Sequence, residues 1–163
     1  SLPFEDNVNG GIPITFLNVP IEYLKDAAIK QLKDGESVWF GNDVLKEMDR
    51  KTGYLDTELY KTDELFDVDT YMTKVERLAT GEGEVSHAMT LVGVDLDKGE
   101  IRKWKVENSW SEKSGRKGYF TMSDNWFDEF VYEVVVRKEF LTDDQKKLAE
   151  SKPTPLPAWD SLA

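Results

Sequence analysis

Two stretches rich in β-branched and apolar residues, 85–95 and 101–107, flank the segment Asp97-Lys98-Gly99. That arrangement commits the second half of the chain to a β-hairpin, with Gly99 free to take the positive φ a tight turn demands. A ribbon folded about the Asp97–Lys98 junction sets His87 opposite Asn108, whereas one centred on Lys98 sets it opposite Ser109. The turn therefore predicts that an imidazole and a carboxamide are neighbours at the open end of the ribbon. More strands are predicted at 118–122 and 131–137, the second a nearly continuous run of apolar and β-branched residues. Between them Ser123 caps a short helix over 124–130, and further on Thr142 caps another over 143–150.

The first half has a different character. Residues 1–18 are rich in Pro, Gly and Asn and read as an irregular entry segment. Pro20 opens a helix over 21–33, in which Leu24, Ala27, Ala28, Gln31 and Leu32 recur at helical spacing and Gly35 is the stop. A strand is predicted at 36–41, then a helix capped by Asp43 and ended by Gly53, an acidic and aromatic stretch without a period at 54–68, and a helix capped by Asp69 reaching about 78. The tail, 151–163, holds three Pro and reads as extended. The fold class is α+β: N-terminal helices, then an antiparallel sheet, then a tail. The expected divisions are 1–84 (helical with a short strand), 85–140 (the sheet carrying His87 and Asn108) and 141–163 (helix and arm).

Composition removes several functions. The net charge of −11, from 21 basic and 32 acidic residues, opposes a phosphate backbone, so no nucleic-acid partner is expected. No apolar run has the length of a membrane span, so no membrane partner is expected either. There is no Cys and one His, which rules out disulfides, thiolate metal sites and His-rich metal sites; neither metal nor cofactor is expected. The chain opens at Ser1-Leu2-Pro3 rather than Met, so an upstream part is to be expected, and the lack of a secretion signal or of disulfides suits the cytoplasm.

A lone His is ordinarily a surface or core residue. Beside an Asn it becomes half of a catalytic site, because the carboxamide oxygen accepts from one ring N–H, fixes the tautomer and aims the other nitrogen at a nucleophile. Trp110 is placed to shield that hydrogen bond, although plain core packing would equally account for it. Ser109 and Ser111 are poor nucleophile candidates, since nothing around them resembles a nucleophile elbow.

Ser86-His87-Ala88, followed by Glu107-Asn108-Ser109-Trp110 and Lys117-Gly118-Tyr119-Phe120, resembles the His and Asn motifs of papain-like cysteine peptidases. Asp34-Gly35-Glu36-Ser37-Val38-Trp39-Phe40-Gly41, Lys103-Trp104-Lys105-Val106 leading into Glu107, Glu129-Phe130-Val131-Tyr132-Glu133-Val134-Val135-Val136 and the closing Leu156-Pro157-Ala158-Trp159-Asp160 narrow the resemblance to the C-terminal part of the bleomycin hydrolase / aminopeptidase C branch. What the resemblance implies is a papain-like half-barrel and an aminopeptidase acting on peptides through a Cys–His–Asn site. In it His87 is the general acid/base, Asn108 its orienter, and the Cys and an oxyanion-hole Gln lie upstream. Gln31 and Gln145, the only Gln present, fall in predicted helices outside any matching motif. The resemblance further implies a homohexamer, and a C-terminal arm whose carboxylate, here that of Ala163, anchors the substrate's free α-amine. Ser111 stands where the family usually has Gly. The alternative is a non-catalytic papain-like pseudoenzyme used for binding or assembly. The chain alone is expected to be inactive, having no thiol.

Overall fold

A computed structural model describes residues 1–3 and 8–160. Helix α1 (Ile21–Lys33) begins immediately after Pro20, as predicted. Its buried face carries Ala27 and Ala28, whose small side chains let the helix approach the sheet closely. Gln31 on the same face donates to the Ser37 carbonyl and accepts from the Arg137 amide, both at 2.9 Å, and so ties the helix to the start of one strand and the end of another. Gln145 is similarly committed, closing a capping box with Thr142 on α5 (Asp143–Ala149). Both glutamines are therefore held in helix-end structure.

The sheet has seven strands: β1 (Val38–Asn42), β2 (Met48–Asp49), β3 (Tyr54–Leu55), β4 (His87–Asp97), β5 (Glu100–Glu107), β6 (Tyr119–Ser123) and β7 (Val131–Val135). Their spatial order is β2-β3-β6-β5-β4-β1-β7, curling into a half-barrel. Every pairing is antiparallel except that of β3 with β6, which is parallel. β1 lies between β4 and β7, so the interior of the sheet draws on both halves of the chain. Helices α1 and α4 (Asp124–Phe130) supply Ala28, Trp126, Phe127 and Phe130 to a core that also takes Val38, Phe40, Met89, Leu91, Trp104, Val106, Phe120 and Met122 from the strands. Ser123 caps α4 as expected, accepting from the Trp126 amide. The buried Lys25 ammonium bridges the helices, lying 2.8 Å from Asp124 and 2.6 Å from Asp128. Among the described residues no helix is long and apolar enough to cross a membrane.

Three local expectations are corrected. The segment after Asp43 is not a helix but the β2–β3 hairpin. Asp49 accepts from the Lys51 and Thr52 amides and from the Thr52 hydroxyl, holding an Asx turn, and Glu47 takes a φ of 45° that no right-handed helix permits. The Asp43 carboxylate, buried with its residue, turns toward the Glu84 amide and the Ser86 hydroxyl instead of capping a helix, and that burial pushes its carboxyl up from the usual range. The helix expected from Asp69 is α3 (Lys74–Thr80), because Thr73 and Glu76 form a reciprocal capping box that Asp69 cannot. In the stretch without a period there is also a short helix α2 (Thr62–Phe66).

The third correction is the ribbon register. The turn is the two-residue Lys98-Gly99, with φ of 52° and 94°, so both central residues are left-handed as in a type I′ turn. Asp97 pairs with Glu100 and Thr90 with Glu107, two irregularities between these rungs cancelling each other. The ladder is thus displaced by two residues from one centred at the Asp97–Lys98 junction.

Candidate active site

His87 is the first residue of β4, and Asn108 follows the last residue of β5. The two-residue displacement makes Asn108 a diagonal rather than a direct neighbour of His87. A shift of two preserves the face on which side chains project, whereas a shift of one reverses it. The pair still meets: His87 Nε2 lies 2.9 Å from Asn108 Oδ1.

The tautomer follows from the surroundings. Asn108 Oδ1 also accepts from the Ser109 backbone amide at 2.8 Å. An amide N–H needs an acceptor, so the atom facing it is the carboxamide oxygen, and Nε2 of His87 must carry the proton shared with that oxygen. Nδ1 then holds the basic lone pair. Asn108 is itself fixed from behind, buried to 8% exposure, its backbone amide donating to the Gly118 carbonyl at 3.0 Å.

Trp110 takes the place that continued pairing would put opposite His87. Its ring centroid is 5.0 Å from the imidazole at an interplanar angle of 31°, and its edge meets Phe120 at 6.1 Å. Arg50 of the β2–β3 hairpin covers Trp110, with its guanidinium 4.8 Å from the ring. Arg50 Nε donates to Ser114 Oγ, which in turn donates to the Trp110 carbonyl. The hairpin that sequence reading took for a helix therefore braces the loop carrying Trp110.

On the opposite side Asn42, the last residue of β1, pairs with His87 and is fully buried. Its Nδ2 donates to the His87 carbonyl at 3.1 Å, and its own carbonyl accepts from the Ser86 amide. Sequence reading passed over Asn42, because only the β1–β4 pairing reveals its partner. Among the described residues Asn42 Oδ1 and Asn108 Nδ2 are buried without a hydrogen-bond partner, an acceptor and a donor on the two residues that hold His87.

Ser111 takes a φ of 73°, the left-handed conformation that favours glycine. Ser111→Gly is therefore expected to raise stability by about 0.5–1 kcal/mol, read as a higher urea midpoint at unchanged slope. Gln31 and Gln145 lie away from the site, in α1 and α5. Ala163, the expected anchor for a substrate amine, lies outside the described residues. The tail leading toward it is held by the entry segment, with the Leu156 amide donating to the Ser1 carbonyl and the Ser1 nitrogen to the Thr154 carbonyl.

Residues 1–163 match the model of the Peptidase C1-like family. Aminopeptidase G of Lactobacillus delbrueckii subsp. lactis is 70% identical over 159 residues, which is 98% of this chain and 36% of that protein. Aminopeptidase E of Lactobacillus helveticus is 70% identical over 162 residues, 99% of this chain and 37% of that protein. A crystal structure of PepW from Lactobacillus rhamnosis HN001 superposes with a TM-score of 0.96 at 52% identity, covering 99% of this chain and 37% of that one. The chain thus spans a little over a third of the length of these relatives.

Proposed function

The chain belongs to the Peptidase C1-like family, and from that premise we propose that it is the C-terminal part of a cysteine aminopeptidase, supplying the His and Asn of a site whose thiol comes from the remainder of the enzyme. The observation that carries this reading is the His87–Asn108 hydrogen bond, with its polarity set by the Ser109 amide. Relatives named aminopeptidases support the class of reaction.

In this reading His87 Nδ1 faces the incoming thiol and takes its proton, and the thiolate attacks the peptide carbonyl. The imidazolium returns the proton from Nδ1 to the leaving amine as the acyl-enzyme forms. His87 then accepts a proton from the water that releases the acid. Throughout, Asn108 holds the Nε2–H and so prevents the ring from rotating, while Trp110 keeps water from competing for that bond. A carboxamide suits this role, because it orients the ring without adding a charge.

The same reading makes peptides the substrates, the cytoplasm the compartment and a homohexamer the assembly, with the Ala163 carboxylate receiving the substrate's α-ammonium. The absence of Cys from the chain agrees with a reducing compartment. The exposed Leu65, Phe66, Tyr71 and Val75 agree with a surface covered in an assembly.

The test is turnover of aminoacyl amides. The full-length enzyme is expected to cleave them and to lose that activity on thiol alkylation, and the 163-residue chain is expected to show none. Turnover by the chain alone, or by the alkylated enzyme, contradicts the assignment. Asn108→Ala in the full-length enzyme is expected to lower kcat by about 10²-fold with KM little changed, as befits lost orientation of a reacting group.

A further inference from the structure

Asp43 is 3% exposed, yet among the described residues its carboxylate has no ion-pair partner. Buried charges are ordinarily paired. Lys46, whose charge reaches Asp43, pairs with Glu82 instead, at 2.6 Å. The contacts Asp43 does make are long: 3.4 Å from the Glu84 amide to Oδ2 and 3.5 Å from the Ser86 hydroxyl to Oδ1. They do not offset the burial, so removal from water holds the carboxyl above its ordinary range. The other titratable groups facing it are Glu84, ahead of β4, and Tyr132 on β7. A folded-state pKa above the unfolded one means that folding is favoured less once the pH has risen through that window. At neutral pH the ionised Asp43 therefore lowers stability.

Both contacts fall on the segment that delivers His87. β1 ends at Asn42, where its register against β7 shifts. A regular strand would send consecutive side chains to opposite faces. Here Asn42 and Asp43 both reach the entry to β4, Asn42 holding the His87 carbonyl and Asp43 holding Glu84 and Ser86. The support beneath them is firm. The Asp43 amide donates to the Phe130 carbonyl at 3.0 Å, at the end of α4, where Trp126, Phe127 and Phe130 are buried.

We propose that Asp43 is a positioning residue of the candidate site, its carboxylate clamping Glu84 and Ser86 so that His87 enters β4 with its ring against Asn108. The inference rests on the peptidase reading for its effect on turnover, and on the geometry alone for its effect on the ring. A carboxylate offers an acceptor to each of the two donors, whereas a carboxamide offers one oxygen and turns an NH₂ toward the remaining donor. Asp43→Asn therefore loosens the segment ahead of His87 while removing a desolvated charge. Function and stability move in opposite directions, which a plain loop anchor would not produce.

The experiment compares full-length wild type, Asp43→Asn, Ser86→Ala and the double variant. It measures kcat and KM on L-leucinamide, the melting temperature at neutral pH, and solvent exchange of the His87 ring N–H, identified by its absence from His87→Ala. Asp43→Asn is expected to lower kcat about tenfold with KM little changed, the mark of lost orientation. Its melting temperature is expected to equal or exceed that of wild type, and its ring N–H to exchange faster. Ser86 is exposed, so its replacement leaves the fold intact. Ser86→Ala is expected to lower kcat about threefold alone and to add no further loss to Asp43→Asn, because the two share one contact. Unchanged kcat and exchange in Asp43→Asn overturn the proposal, as does a loss matched by the fraction unfolded. If Asp43→Asn fails to fold, Ser86→Ala with wild-type kcat and exchange overturns it. Faster ring exchange in Asp43→Asn, in an enzyme that turns over no aminoacyl amide, would sink the peptidase reading and leave the clamp standing. Wild-type turnover that Asp43→Asn leaves untouched does the reverse.

Discussion

His87→Ala in the full-length enzyme is expected to lower kcat by about 10⁵- to 10⁶-fold, the scale on which loss of the base disables a nucleophile–base pair. Without the imidazole the thiol loses its proton acceptor and the leaving amine loses its donor, so both chemical steps fail together. The fold should tolerate the change. His87 is only half-buried, and the contacts that hold its segment are made by its backbone: the carbonyl to Asn42 Nδ2 and the neighbouring Ser86 amide to the Asn42 carbonyl. In the 163-residue chain the expected melting temperature is therefore within about 2–4 °C of wild type, equivalent to about 1 kcal/mol at that size. A loss below tenfold at intact fold would remove His87 from the chemistry.

The second large effect is expected at a distance from the imidazole. Gly115 sits in the loop between Asn108 and Gly118 with a φ of 57°, and its amide donates to the Arg50 carbonyl at 2.9 Å. A Cβ on it would lie 2.5 Å from the Tyr119 carbonyl oxygen and 3.2 Å from Gly53 Cα. Gly53 has the reciprocal difficulty, with a φ of 78° and a would-be Cβ 2.8 Å from Gly115 Cα. Two backbones touch here, and only glycine fits on either side. Gly115→Ala combines a left-handed alanine with a backbone clash, and is expected to cost about 3 kcal/mol or more, measured by urea denaturation. Relief of the clash must displace the loop that carries Trp110. The variant should therefore also lose activity beyond its fraction unfolded, and a variant as stable as wild type would contradict the close approach.

Much of this site was legible in the sequence because it depends on a local turn. Asp97-Lys98-Gly99 between two β-branched runs brings position 87 near position 108 whichever residues occupy the turn. The observed register departs by two from a turn at the Asp97–Lys98 junction and by one from a turn centred on Lys98, because Lys98 itself adopts a left-handed conformation; nothing in a lysine announces it, whereas an Asn at that place would have. The expectation of proximity survived because an even displacement keeps both side chains on one face. The segment after Asp43 was misread for a different reason. A capping residue, a spacing of ten and a terminal glycine suit a short helix locally, but the long-range parallel pairing of Tyr54 and Leu55 with Thr121 and Met122 selects a hairpin. Long-range pairing also hid Asn42, whose partner His87 is 45 residues away in the chain. By contrast Ser123, Thr142 and Pro20 mark helix starts through groups within a few residues of themselves, and these boundaries fell where the sequence put them.

Asn108 holds the Nε2–H of His87 and leaves Nδ1 basic. This chain contains a single His, so ¹⁵N and ¹H spectra of its imidazole, recorded where the ring is neutral, need no assignment. A slowly exchanging Nε2–H resonance with an unprotonated Nδ1 is expected, and loss of that slow exchange in Asn108→Ala. A proton resident on Nδ1, or a ring signal that Asn108→Ala leaves unchanged, would contradict it.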